Sequence, residues 1–147
     1  MADAKRRARA VWEGDLAQGS GAVTLESSGL GGALPATWAS RTARSDGKTS
    51  PEELIAAAHA TCFSMALAHG LTEAGTPPAR LTTEATCTFA PVEGGFAIAS
   101  MELRVTGEVP GIDAVEFAAA AAQAKDGCPV SQALKTNVPI AVTAELS

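Results

Sequence analysis

The chain has 147 residues, of which 46% are hydrophobic and 18% charged, with a formal net charge of −5 at pH 7. That is the length of a single domain (residues 1–147), with enough apolar residues for a proper core and too little glycine and proline for disorder. The negative balance disfavours nucleic acid as a partner, and three cysteines with no C-x-x-C disfavour zinc-ribbon and thioredoxin-type sites.

The first residues are charged and polar with no apolar stretch behind them, so no signal peptide is expected. An odd thiol count in such a chain fits a reducing compartment, and the cytoplasm is the expected location. Residues 5–14 and 21–28 read as two strands joined by a turn-rich segment at 15–20. Lys5, Arg6, Arg7 and Arg9 then fall on the exposed face of the first strand rather than in a nucleic-acid arm. Residues 36–40 predict a third strand, followed by a polar loop over 42–48.

A long helix is predicted from Pro51 to Glu73. Ser50 can cap it, Pro51 suits the first helical position, and Glu53 completes capping-box spacing. Gly75 and Pro77-Pro78 end it. Residues 54–71 carry no full charge, a run long enough to be mistaken for a membrane span. It is mostly alanine, contains His59 and His69, and opens with a capping box. It therefore reads as a core helix, buried on nearly every side.

Residues 81–89 and 96–109 form a predicted hairpin around Val92-Glu93-Gly94-Gly95, although the alternation of Ile98, Met101, Leu103 and Val105 is imperfect. Asp113 caps an alanine-rich helix over 114–126, closed by Gly127. A short helix over 129–135 and a strand over 138–146 complete the chain. The class is α+β with antiparallel sheet. A helix this apolar needs cover on several sides, and a second copy of the chain is a source of it.

Two cysteines stand in suggestive places. Cys62 is mid-helix, where cysteine commonly packs as a small hydrophobe. Cys128 directly precedes Pro129 and a helix start, a setting that favours a thiolate. A capping role alone explains it poorly, because Ser, Thr, Asp and Asn cap better.

The run Ser-Pro-Glu-Glu-Leu-Ile-Ala-Ala-Ala-His-Ala-Thr-Cys-Phe-Ser-Met-Ala-Leu at 50–67, with Cys128-Pro129-Val130-Ser131 beginning 66 residues after Cys62, resembles the paired cysteine motifs of the OsmC/Ohr family of thiol-dependent peroxidases. Trp12-Glu13-Gly14 and Val109-Pro110-Gly111-Ile112-Asp113 resemble its OsmC branch. The resemblance implies an OsmC-like fold, with antiparallel sheets wrapped around long central helices in an intertwined homodimer. It also implies a peroxidatic Cys62 that becomes a sulfenic acid and then a Cys62–Cys128 disulfide, with an external dithiol or dihydrolipoyl group as reductant. No resident cofactor or metal is expected, and the charge balance and the core-helix reading leave no nucleic-acid or membrane partner expected.

A thiolate in an apolar site needs a fixed cation. The resemblance maps an Arg and a Glu onto Arg41 and Glu52, with Arg44 as the alternative cation. Ten residues of helix between Glu52 and Cys62 span about 15 Å, so Glu52 and Arg41 are expected to serve the partner's Cys62. Local physics alone favours Cys128 as the more acidic thiol, whereas the resemblance assigns first attack to Cys62. Ile55, Phe63, Met65 and Leu67 suggest an apolar pocket suited to organic hydroperoxides. Cys87 lies in strand-like alternation and reads as packing. His59, one turn before Cys62, is the alternative partner for a Cys–His hydrolase or transferase, although no third orienting residue is evident. A metal set of His59, Cys62, His69 and Cys128 is disfavoured because His69 lies about 10 Å along the helix from Cys62.

Overall fold

The computed structural model describes residues 1–147. Its contacts form two compact units, Met1–Pro51 and Glu52–Ser147. In the first, β1 (Arg9–Glu13), β2 (Ser20–Thr24) and β3 (Ala33–Ala36) make an antiparallel sheet in the order β1-β2-β3. Arg7 and Arg9 each approach Glu26 at 3.3 Å, so part of the basic cluster is neutralised within its own hairpin.

The strand predicted at 36–40 is not there. β3 ends at Ala36, and Trp38–Thr42 is a short helix, α1. Thr37 and Ser40 form a reciprocal capping box, each side chain accepting from the other's backbone N–H. Those local hydrogen bonds override the β-propensity of Thr37 and Trp38. Ser40 Oγ also donates to the Thr49 carbonyl at 2.9 Å, pinning the following loop.

The second unit holds α2 (Pro51–Glu73), the hairpin β4 (Arg80–Val92) and β5 (Gly95–Glu108), α3 (Ala114–Gly127), α4 (Pro129–Leu134) and β6 (Ile140–Leu146). The sheet order is β4-β5-β6. The α+β class stands, with one departure from the all-antiparallel expectation: β6 runs parallel to β5. Two helices intervene between β5 and β6, and a helical crossover returns the chain to the same end of the sheet, which a tight turn cannot do.

The imperfect alternation in β5 has a local cause. Thr88 pairs with Ser100 but Phe89 pairs with Ile98, leaving Ala99 as an extra residue. This bulge switches which positions face inward. Beyond it Met101, Leu103, Val105 and Gly107 are all buried. Gly107 is required there, because a Cβ would collide with the Phe117 ring of α3.

The core joins Phe63, Leu67 and Leu71 of α2 to Leu103 and Val105 of β5 and to Phe117, Ala121 and Ala124 of α3. The buried positions His59, Phe63, Leu67 and Leu71 recur every four residues and define one face of α2. Burial on nearly every side does not hold within the single chain. Ala57, Ala58, Thr61 and Met65 are exposed, Met65 by 68%. α2 is long and apolar enough to cross a membrane by length and composition. Its packing of Phe63 and Leu67 against the sheet is that of a core helix.

Candidate active site

Each sulfur is positioned by a simple backbone device. Cys62 is carried by α2, one residue before the fully buried Phe63, and is itself half-buried. Cys128 is the single residue between α3 and α4, with φ −62° and ψ 126°. Pro129 disfavours the helical conformation for the residue before it, so the chain must extend at Cys128. Its side chain makes no cap hydrogen bond and is fully buried.

The two thiols meet. Cys128 Sγ lies 2.8 Å from Cys62 Sγ, and both are free thiols. A disulfide requires about 2.05 Å between sulfurs, so a small side-chain adjustment suffices to join them. Burial pushes the Cys62 thiol above its ordinary pKa, and the adjoining Cys128 adds to the rise; a hydrogen bond from the Val130 N–H works in the opposite direction. The sequence suggested that the start of the last short helix would act on Cys128. Its first-turn N–H acts on Cys62 instead. Nothing in the local sequence could show this, since it depends on how α4 docks against α2.

His59 is completely buried, and its Nε2 hydrogen-bonds Ser131 Oγ at 2.7 Å. Burial holds its pKa below the ordinary value. The Cys–His arrangement is therefore not formed: His59 is engaged with Ser131 rather than with Cys62. No three His, Cys, Asp or Glu side chains converge as a ligand set, and His69 lies exposed in a groove between α2 and α3. Cys87 sits in β4 opposite Met101, where burial and then the charge of Glu52 push its thiol up.

The remaining predicted residues fall in several environments. Glu52 is buried in the first turn of α2. Arg41, on α1, holds its guanidinium 5.9 Å from the centroid of the Trp38 ring. Arg44 is highly exposed and pairs with Asp46 at 3.6 Å. The four residues expected to form one apolar pocket are divided: Phe63 and Leu67 are core, Ile55 is half-buried and Met65 is exposed. Helical spacing sends consecutive residues to different faces. A groove of about 560 Å³ between α2 and α3 has a wall that includes Ala66, Leu71, Ile112, Ala120 and Gly127, and neither cysteine lines it. Ala66 is one turn after Cys62, and Gly127 adjoins Cys128.

Residues 44–143, spanning both cysteines, match the family model for OsmC-like protein. The chain belongs to the OsmC family. It is 44% identical to the "Peroxiredoxin OsmC" of Escherichia coli (strain K12) over 135 residues, covering 92% of this chain and 93% of that protein. It is 32% identical over 96 residues to the "Organic hydroperoxide resistance protein" of Xanthomonas axonopodis pv. citri (strain 306), covering 65% and 66%. Among solved structures, the organic hydroperoxide resistance protein OhrB of Bacillus subtilis superposes with a TM-score of 0.72 at 26% identity, covering 96% of this chain and 98% of that one. The OsmC-like fold expected from the cysteine motifs is borne out.

Proposed function

We propose that this OsmC-family protein is a cysteine-based peroxidase that reduces organic hydroperoxides to alcohols. Its relatives, named as a peroxiredoxin and as hydroperoxide resistance proteins, bear out the peroxidase class. The observation that carries the reading is the pair of free thiols 2.8 Å apart, one half-buried and one fully buried.

In the first step the Cys62 thiolate attacks the terminal peroxide oxygen. The O–O bond breaks, the departing alkoxide takes a proton and leaves as alcohol, and Cys62 becomes a sulfenic acid. Cys128 then attacks the Cys62 sulfur, an S–S bond forms, and water departs with the hydroxyl. An external dithiol, a dihydrolipoyl group among them, reduces the disulfide by exchange and is itself oxidised. Cys62 is the half-exposed member of the pair, so a substrate reaches it first.

Cys62 must ionise against its raised pKa, and the Val130 N–H supplies part of the stabilisation. The rest we assign to Arg41, oriented by Glu52. Arg41 is favoured over Arg44, whose exposed guanidinium pairs with Asp46. About 15 Å of helix separates Glu52 from Cys62, so the Arg41–Glu52 pair serves the partner's Cys62 in a homodimer. The exposed α2 face at Ala57, Ala58, Thr61 and Met65 is what the second copy covers. The apolar groove reaching Ala66 and Gly127 takes the alkyl group, and the working compartment is the reducing cytoplasm.

The test is turnover of an organic hydroperoxide and of hydrogen peroxide with a dithiol reductant. Faster consumption of the organic substrate, abolished by Cys62→Ser, supports the reading. Equal consumption by the wild type and Cys62→Ser removes it.

A further inference from the structure

His59 and Ser131 are buried polar residues that no step of the cycle uses. His59 precedes Cys62 by three residues on α2, and Ser131 follows Cys128 by three residues at the start of α4. Residues three apart on a helix share a face. The two pairs meet in opposite order: His59 with Ser131 at 2.7 Å, and Cys62 with Cys128 at 2.8 Å. They are successive rungs between two helix segments, about 4.5 Å apart along the axis. Between Cys128 and Ser131 lies Val130, whose backbone N–H acts to lower the Cys62 pKa. On the other side of the thiol rung, Ala66 and Gly127 border the open groove.

We propose that the His59–Ser131 hydrogen bond is a strut that fixes α4 on α2, so that the first turn of α4 stays beside Cys62 and Cys128 stays within reach of it. His59 and Ser131 are thus positioning residues for peroxidase chemistry, and the inference rests on that reading. α4 has only six residues and no side-chain cap, so its own hydrogen bonds hold it weakly. A buried rung one turn from the thiols is the direct restraint on its register. The tautomer follows from burial. His59 Nδ1 is buried without a partner, and a stranded N–H there is the rarer and costlier arrangement. The proton therefore sits on Nε2, which donates to Ser131 Oγ.

The experiment uses the full-length Cys87→Ser protein, in which only the two site thiols remain. The Cys62 pKa is read by peptide-resolved alkylation across pH. Disulfide closure is driven by diamide, a diazene that takes up the two thiol protons and their electrons, so closure requires no peroxide. Ser131→Ala should raise the Cys62 pKa by about one unit and slow closure about tenfold, the size expected for one lost buried hydrogen bond. Ser131→Thr, which keeps the hydroxyl, should restore both. His59→Gln, which places an amide donor near the position of Nε2, should restore more than His59→Leu; this pair carries the test if Ser131→Ala fails to fold. Wild-type pKa and closure rate in Ser131→Ala, or in His59→Leu, overturn the strut. A wild-type protein inert to organic hydroperoxide would refute the peroxidase reading while leaving the alkylation and diamide results intact.

Discussion

Gly107→Ala tests whether α3 is seated on the sheet in the way that places Cys128. Gly107 lies in the central strand β5, paired with Leu81 of β4 and Leu146 of β6, so its backbone is held from both sides. A Cβ there would lie 2.6 Å from Phe117 Cε1 and 3.2 Å from Cε2, well inside van der Waals contact. Phe117 is fully buried, and it can yield only by pushing the first turns of α3 off the sheet. Overpacking of this kind costs about 1–3 kcal/mol. Reduced freedom of the unfolded chain returns about 0.5–1 kcal/mol. The net loss, about 1 kcal/mol at the middle of these ranges, corresponds to a fall in melting temperature of roughly 3 °C for a chain of this size. Because Cys128 directly follows α3, closure of the Cys62–Cys128 disulfide should also slow. The assay is thermal and urea unfolding of Gly107→Ala, Phe117→Leu and the double variant. The shorter Leu should relieve the clash, giving a coupling of at least about 0.5 kcal/mol. Gly107→Ala as stable as wild type, or strictly additive effects, would refute the packing argument.

Three further outcomes follow from the site. Cys128→Ser should still release alcohol in a single turnover but leave Cys62 as a trappable sulfenic acid, which mass spectrometry with a sulfenate-reactive probe would detect; unreacted Cys62 would contradict the assignment of roles. Arg41→Ala should lower the second-order rate with organic hydroperoxide by at least about tenfold, on the scale of one charge-assisted contact, and Arg44→Ala by less than about twofold; the reverse order would move the cation to Arg44. Burial holds the His59 pKa below the ordinary 6.5, so the unfolded chain takes up that proton first as pH falls. Stability present above pH 6.5 should therefore decline below it, with a flatter decline in His59→Gln in urea titrations; identical acid limbs would show that His59 is not buried neutral.

Punctuation made much of the fold legible. Ser50-Pro51 marked the start of α2 to the residue, Gly94-Gly95 marked the hairpin turn, and Asp113 marked the N-cap of α3. What failed were features that local pattern cannot carry. The Thr37–Ser40 capping box was present in the sequence but was outweighed by the β-propensity around Trp38. The parallel direction of β6 follows from the crossover and not from its own alternation. Uniform alanine hid the buried face of α2, which only the larger side chains at 59, 63, 67 and 71 mark out. The two cysteines were legible from their motifs. The His59–Ser131 hydrogen bond and the influence of the Val130 N–H on Cys62 were not, because each joins residues far apart in sequence through the docking of α4.

The most direct test of the thiol-pair mechanism is a free-thiol count on the reduced protein before and after one equivalent of an organic hydroperoxide, with peptide mapping of any new bond. Loss of two of the three thiols, with the bond at Cys62–Cys128 and Cys87 left free, is the predicted result. Survival of all three thiols, or a bond that includes Cys87, would contradict it.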